Sequence, residues 1–405
     1  MKGKEQDRFP AVSQFNFVPE VREKMFLPER VYVTDETLRE GEETPGAIMT
    51  VENKVRIAKF LEKIGTAETN IGYVCNIEDH AEVSRRVKRE CKRIKTNCML
   101  RIYGEKTDFK DRVKFALDTG ADRIILIVPI SEYQFKAREG LSKSKVLEDA
   151  IVALQKAREC GAKVTFGPYD TTRTDLDFFK VMLKTGIAEG ADRVVAYDTL
   201  GVMTPQSIFY WMREIKKTVG KIPVQFHGHN DFQLAVANTC AAVTAGAEYI
   251  DIAVNGLGDR GGNANFEETV LSLEALYRVN TGIDTTGLFE LSKLVENISG
   301  IPSQPNKPVT GYNTFVHESD VHVSAVLTGH ADTFEPYEPS LVGQKRVIWF
   351  GSSTSLDSLE TLIKTMNVKL TDSQIKAVQK RIRARVDEAK YATDEEVRSF
   401  ISAVK

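Results

Sequence analysis

Between residues 30 and 280 the chain alternates between two hydrophobic patterns. Short runs rich in β-branched and aliphatic residues, at 30–38, 68–74, 99–104, 123–129, 163–169, 193–200, 223–230 and 249–258, read as buried strands. Amphipathic stretches such as 51–64, 109–117, 146–159 and 232–245 lie between them and read as helices. Strands separated by helices of this length call for parallel pairing with crossover helices, and eight such units call for a closed barrel. A recurrence supports this: Gly120-Ala121-Asp122-Arg123-Ile124, Gly190-Ala191-Asp192-Arg193-Val194 and Gly246-Ala247-Glu248-Tyr249-Ile250 each close a helix and open a strand. The glycine suits the left-handed position just past a helix C-terminus.

The expected fold is therefore an α/β (β/α)8 barrel with a C-terminal helical subdomain. Beyond residue 285 the strand pattern fades. Helical patterns at 287–298, 315–327, 355–365, 371–390 and 394–404 surround a Pro/Asn-rich linker at 301–308. The expected division is an N-terminal extension, 1–29, a catalytic barrel, 30–285, and a helical subdomain with its linker, 286–405. A doubly wound sheet would need a Gly-rich first turn to hold phosphate, whereas the first strand runs into Asp35-Glu36-Thr37-Leu38-Arg39-Glu40-Gly41-Glu42-Glu43, too acidic for that.

Composition narrows the class. The 405 residues carry 55 basic and 57 acidic side chains, a net charge of -2, without the basic excess on which nucleic-acid or membrane-surface binding rests. No apolar run approaches the roughly 18 residues that span a bilayer, and the N-terminus has no secretory pattern, so a cytoplasmic protein is expected. Cys75, Cys91, Cys98, Cys160 and Cys240 form no CxxC pair, which suggests neither a zinc knuckle nor a disulfide framework.

The chemistry centres on Phe226-His227-Gly228-His229-Asn230-Asp231. Residues two apart on a strand project to one side, so His227 and His229 face the same way. They are either half of a divalent-metal site or a pair of hydrogen-bonded histidines. Active sites of this barrel lie at the C-terminal strand ends. That rule gathers Arg39-Glu40, His227/His229 and the 256–263 loop around one mouth, a mixed O/N set suited to Mg²⁺, Mn²⁺, Zn²⁺ or Co²⁺ acting as a Lewis acid.

Several long motifs resemble the DRE-TIM metallolyases. They are Asp35-x-Thr37-Leu38-Arg39-Glu40-Gly41, His227-Gly228-His229-Asn230-Asp231 and Asn255-Gly256-Leu257-Gly258-Asp259-Arg260-x-Gly262-Asn263. Tyr197-Asp198-Thr199-Leu200-Gly201-Val202-Met203-Thr204-Pro205 is similar to the family's sixth-strand motif, and His317-Glu318-Ser319-Asp320-Val321-His322 to its HESGIH. The match favours the Claisen-condensing branch: isopropylmalate, homocitrate and citramalate synthases, with Re-citrate synthase a further relative. The resemblance implies that Glu40, His227, His229 and Asn263 bind a divalent metal, through which the carboxylate and ketone oxygens of a small 2-oxo acid are held. It implies that Arg39 stabilises charge on the ketone oxygen and binds substrate, that Thr199 holds the substrate carboxylate, and that acetyl-CoA is the co-substrate. It implies too that His322 serves acid/base chemistry, reaching the barrel of a partner subunit in a homodimer.

The departures from the family pattern are informative. Glu43 stands where glutamine is usual, adding a carboxylate beside the metal ligands, and is counted with Arg39 and His322 among the catalytic candidates. Phe334 occupies a position usually held by tyrosine, with Tyr337 nearby, and Asp320 replaces the glycine of HESGIH. Tyr169-Asp170 replaces Glu-Asp, and Trp349-Phe350-Gly351-Ser352-Ser353-Thr354 stands in place of a GKHSG-like stretch. The second strand ends Asn70-Ile71-Gly72-Tyr73, which matches no pattern diagnostic for 2-oxoisovalerate, pyruvate or 2-oxoglutarate. These changes imply an altered 2-oxo acid or acyl partner. The competing readings are a lyase of the hydroxymethylglutaryl-CoA type, disfavoured because 256–263 lacks cysteine, and a catalytically silent paralogue.

Overall fold

The computed structural model describes residues 8–352, 354–388 and 390–405. Ser353, part of one of the departures noted above, lies outside the described residues. Eight parallel strands close in sequence order, the eighth pairing with the first. They are β1 (Tyr32–Asp35), β2 (Glu68–Gly72), β3 (Lys95–Arg101), β4 (Arg123–Pro129), β5 (Val164–Tyr169), β6 (Arg193–Asp198), β7 (Val224–Gly228) and β8 (Tyr249–Ile252). The helices that follow them are α1 (Val51–Lys63), α2 (Glu78–Glu90), α3 (Phe109–Asp118), α4 (Lys143–Glu159), α5 (Leu176–Ala188), α6 (Pro205–Val219), α7 (Ala235–Thr244) and α8 (Phe266–Leu276). The expected (β/α)8 barrel is the observed fold.

Local chemistry explains where the elements start and stop. Thr50 and Thr204 cap α1 and α6 by each accepting the backbone N–H of the third helical residue, and Pro205 takes the first position of α6, where no amide partner is needed. At the three Gly-Ala-acid recurrences, φ is 95° at Gly120, 110° at Gly190 and 108° at Gly246. The following alanine N–H bonds back five residues, Ala121 to Ala116, Ala191 to Gly186 and Ala247 to Ala242, the Schellman closure. Strands 1, 7 and 8 end earlier than expected, at Asp35, Gly228 and Ile252, because the chain beyond them turns into the loops that build the mouth. β3 starts earlier, since its first residues Lys95, Thr96 and Asn97 are polar and disguise the strand.

The interior of the barrel is polar at its N-terminal end. Arg193 forks Glu68 at 2.7 and 2.8 Å and lies 3.4 Å over the Tyr249 ring, while Asn97 donates to the same carboxylate at 2.8 Å. The segment leading into β1 packs on the outer helices: the Phe26 N–H donates to the Thr244 carbonyl of α7 at 2.7 Å, and the Arg213 guanidinium of α6 covers the Phe26 ring. Helix α9 (Leu288–Ser299) belongs to the barrel unit, which comprises residues 14–303. Its Ser292 hydroxyl donates to Asn255 Oδ1 at 2.6 Å, steadying the loop after β8.

A second compact unit comprises residues 304–405 with the described residues 8–13. It contains β9 (Val316–His317), α10 (Asp320–Leu327), β10 (Val347–Phe350), α11 (Leu356–Thr365), α12 (Asp372–Asp387), β11 (Ala392–Thr393) and α13 (Asp394–Val404). The three strands form one small sheet with β10 in the middle. The expected C-terminal helical region is present, with this small sheet added: 315–327 is a strand followed by a helix, not one helix. The core includes Phe350, Leu362, Val378, Val397 and Ile401. Among the described residues no helix is long and apolar enough to cross a membrane.

Candidate active site

Period-two alternation along β7 directs Gln225, His227 and, just beyond the strand, His229 into the barrel, while Phe226 is buried on the opposite face. After β1 the chain turns sharply, with the Arg39 and Gly41 N–H groups bonded to the Glu36 carbonyl. A Cβ at Gly41 would lie 2.4 Å from the Thr37 carbonyl oxygen, so the turn that presents Arg39 and Glu40 requires glycine there. The loop beyond β8 folds back along β7: the Asn230 N–H bonds to the Gly262 carbonyl, and Asn263 bridges His229.

These turns bring three of the four expected metal ligands, Glu40, His227 and His229, together, and Asn263 meets the His229 backbone beside them. The Glu40 Oε2 to His227 Nε2 distance is 3.3 Å, Glu40 Oε1 to His229 Nε2 is 3.6 Å, and the two imidazole Nε2 atoms are 3.3 Å apart. Glu40 Oε2 and Asn263 Oδ1 are buried without a hydrogen-bond donor, while the Asn263 amide donates to the Leu257 carbonyl. Two imidazoles, a carboxylate and an orphaned amide oxygen fit a divalent cation. In a second cluster, Glu36, His227 and Asp251, the candidate ligand atoms also lie within 4.8 Å of one another. Its outer members already have partners: Asn70 donates to Glu36, and Gln225 to Asp251. We read it as support for His227.

The electrostatics follow from burial and charge. Burial opposes ionisation of His227, but the Glu40 charge and the hydrogen bond with Asp251 push it up to about 10. His229 is pushed down to about 4, chiefly by burial, which keeps its imidazole neutral as a ligand must be. Burial would raise Glu40, yet Arg39 and the two histidines hold it well below the usual carboxylate range. Arg39 spans Glu36 at 2.8 Å and Glu40 at 2.6 Å, with Glu43 at 3.6 Å. Glu43 is raised, mainly by burial, against the pull of Arg39. Glu42, by contrast, turns away to Lys54 and His80 and anchors the loop.

A cavity of about 240 Å³ opens beside these groups and is lined by Arg39, Glu40, Glu43, Thr199, His227 and His229, among others. The Thr199 hydroxyl accepts the Asp170 N–H at 2.9 Å, so its own proton is free to donate into the cavity. Asn263 supplies the bridge to His229 from outside the lining.

A family model described as HMGL-like matches residues 30–295, and one described as homocitrate synthase post-HMGL domain-like matches 309–390. The chain belongs to the HMGL-like family. It is 39% identical over 386 residues to the 2-isopropylmalate synthase of Methanocaldococcus jannaschii, covering 94% of this chain and 73% of that protein. It is 36% identical over 391 residues to the homocitrate synthase of Methanopyrus kandleri, covering 96% of each. Among solved structures, the hydroxymethylglutaryl-CoA lyase of Pseudomonas aeruginosa superposes with a TM-score of 0.60 at 21% identity, covering 68% of this chain and 95% of that one, a likeness of fold. The Claisen-condensing branch read from the motifs is thus the branch to which these relatives belong.

In this HMGL-like chain the remaining candidate, His322, lies on α10 in the second unit, its ring stacked on Phe334 with centroids 3.8 Å apart. Asp320 accepts the Ser355 N–H and the Ser358 hydroxyl, so the residue that replaces glycine ties α10 to the start of α11. Tyr337 packs edge-on against Phe315. Asp170 is fully buried between Ser131 and Arg173 and anchors the loop after β5. Sequence reading missed Asp251 and Gln225, whose signal was a lone polar residue at even spacing in an otherwise buried strand. It also missed Met99, Tyr103 and Ile127 as cavity walls.

Proposed function

We propose that this chain condenses acetyl-CoA with a 2-oxo acid to give a 2-hydroxy dicarboxylate or tricarboxylate and free CoA, an acyltransferase reaction of the kind named for its relatives, the 2-isopropylmalate and homocitrate synthases. The observation that carries this reading is the meeting of Glu40, His227 and His229 beside Arg39 at the mouth of one cavity. Glu40, His227, His229 and Asn263 would hold a divalent metal (magnesium, manganese, zinc or cobalt), which when bound supplies Lewis-acid polarisation of the ketone.

The protein's own groups do the rest. Thr199 donates to the substrate carboxylate. Arg39, fixed by Glu36 and Glu40, holds positive charge where the ketone oxygen becomes negative. A base removes a methyl proton from acetyl-CoA, the resulting carbanion bonds to the ketone carbon, and the ketone oxygen takes a proton to become the hydroxyl. Water then cleaves the thioester, giving a carboxylate and the CoA thiol. Glu43, raised by burial and partly exposed at the cavity, is a candidate for this proton traffic. The acid/base role of His322, a homodimer through which it would act, and a cytoplasmic location belong to the same proposal.

The test is release of CoA thiol from acetyl-CoA with a panel of 2-oxo acids, with Mg²⁺ or Mn²⁺ and with chelator. Metal-dependent release is expected, and His229→Ala should lose both release and bound metal. A panel without release by a metal-loaded protein would refute the condensation.

A further inference from the structure

The cavity has two unlike halves. The side formed by β6, β7, β8 and β1 presents Thr199, the histidines, Arg39 and the carboxylates. The side formed by β2 to β5 and their loops presents Tyr73, Met99, Tyr103, Ile127 and Tyr169, with no charged group among them. Met99 and Ile127 form its floor, with Ile125 behind and Tyr73 and Tyr169 packed against them. The Tyr103 and Tyr169 hydroxyls are 2.9 Å apart, and Tyr169 donates on to Gln134 at 3.3 Å, so these two phenols have partners already.

Two cations near this half, Arg101 and Arg138, are not among the residues that line the cavity. Arg101 lies 5.0 Å from the Tyr73 ring centre and pairs with Glu105 at 3.3 Å. Arg138 lies 5.1 Å from the Tyr103 ring centre and donates to Gln134. The cations that do line the cavity, Arg39 and Arg260, belong to the polar half and are held by Glu36 and Glu40, and by Asp231 at 2.8 Å.

We propose that the β2–β5 half receives the side chain of the 2-oxo acid, and that this side chain is apolar and larger than methyl, branched or aromatic. The proposal rests on the condensation reading and names its substrate class. The carboxylate and ketone of a 2-oxo acid are drawn to the polar half, which leaves the side chain to face Met99 and Ile127. A second carboxylate there would be desolvated against thioether, aliphatic and ring surface, with no cation among the residues lining that half. A methyl group would leave much of the apolar wall uncovered, and one methylene in such a pocket changes discrimination by roughly 10- to 200-fold.

The experiment uses the full chain loaded with Mn²⁺. Binding of 4-methyl-2-oxopentanoate, phenylpyruvate, pyruvate and 2-oxoglutarate is measured by calorimetry, and CoA release is measured with each. The branched or aromatic acid should bind about tenfold or more tightly than pyruvate, with 2-oxoglutarate weakest of all. Ile127→Arg should invert the order by giving this half a cation. Tyr103→Arg, at a less buried wall position, makes the same test should Ile127→Arg fail to fold. Preference of the native chain for pyruvate or a dicarboxylate overturns this inference and leaves the condensation standing. Tight binding of the apolar acids without CoA release overturns the condensation alone, and binding of none overturns both.

Discussion

His227 and Asp251 face each other across the β7–β8 pair, with His227 Nδ1 3.1 Å from Asp251 Oδ2. The other Asp251 oxygen accepts the Gln225 amide at 2.5 Å, Gln225 accepts from Arg193 at 3.1 Å, and Arg193 forks Glu68. A buried run of polar groups thus rises through the barrel and ends on the imidazole whose Nε2 faces Glu40. It fixes the ring orientation and holds the Nδ1–H, so that a divalent metal displacing the Nε2 proton would meet a lone pair aimed into the ligand cluster.

Asp251→Asn tests that relationship. Asparagine has one acceptor oxygen where aspartate offers two, so an amide N–H must face either the Gln225 amide or the His227 Nδ1–H. Loss of this partner should weaken divalent-metal affinity about 10- to 100-fold, read by Mn²⁺ titration, with the far-UV spectrum unchanged. Undiminished affinity would remove Asp251 from the role.

Arg39→Lys separates charge stabilisation from metal binding. The guanidinium reaches Glu36 and Glu40 together, and an ammonium cannot reproduce that fork. Turnover should fall about a hundredfold or more, while metal content stays near that of the native chain because Glu40 and both histidines are untouched. Near-normal turnover would reassign Arg39 to structure.

What could be read from one sequence, and what could not, follows from the range of each interaction. His227 and His229 were legible because two residues on one strand share a face. Glu40 was legible because a strand-end rule placed it at the same mouth. Asp251 was not: its strand pattern marks it only as an inward polar residue, and its pairing with His227 lies in the register between β7 and β8. Met99 and Ile127 were hidden for a different reason: an apolar residue on a barrel strand has the same periodicity whether it faces core or substrate. β10 went unread because four residues, paired with strands of two, carry too short a pattern.

Asp35 gives the chain a stability that depends on pH. Burial raises its carboxyl from 3.8 to about 7, against hydrogen bonds from Thr37 and Thr69 that lower it. The folded state therefore binds this proton more tightly than the unfolded state does. The group contributes no instability below about pH 4. Between there and pH 7 its cost grows by about 1.4 kcal/mol for each pH unit climbed, and above that it is constant. In Asp35→Asn, with one oxygen still accepting from Thr37 and the amide donating to Thr69, this loss is absent. Urea midpoints followed from pH 4 to 8 should decline less with pH in the variant than in the native chain. Parallel curves would show that Asp35 is ionised in the folded protein throughout.

Gly201 holds His229 in place from the neighbouring strand end. Its φ is 60°, and a Cβ there would lie 2.4 Å from the His229 carbonyl oxygen and 3.2 Å from the Asp231 nitrogen. The His229 N–H in turn bonds to the Asp198 carbonyl at 3.2 Å, so the β6 and β7 ends are locked by backbone on both sides. Gly201→Ala adds a methyl that only a backbone shift can accommodate, in a conformation that costs an L residue about 1 kcal/mol or more. That shift displaces the peptide carrying His229 and with it the spacing of the ligand cluster. Metal affinity should fall together with the unfolding midpoint, whereas Gly220→Ala, also at positive φ but in open space, should lower the midpoint alone. If both variants kept native metal affinity, backbone packing at Gly201 would have no part in setting the His229 position.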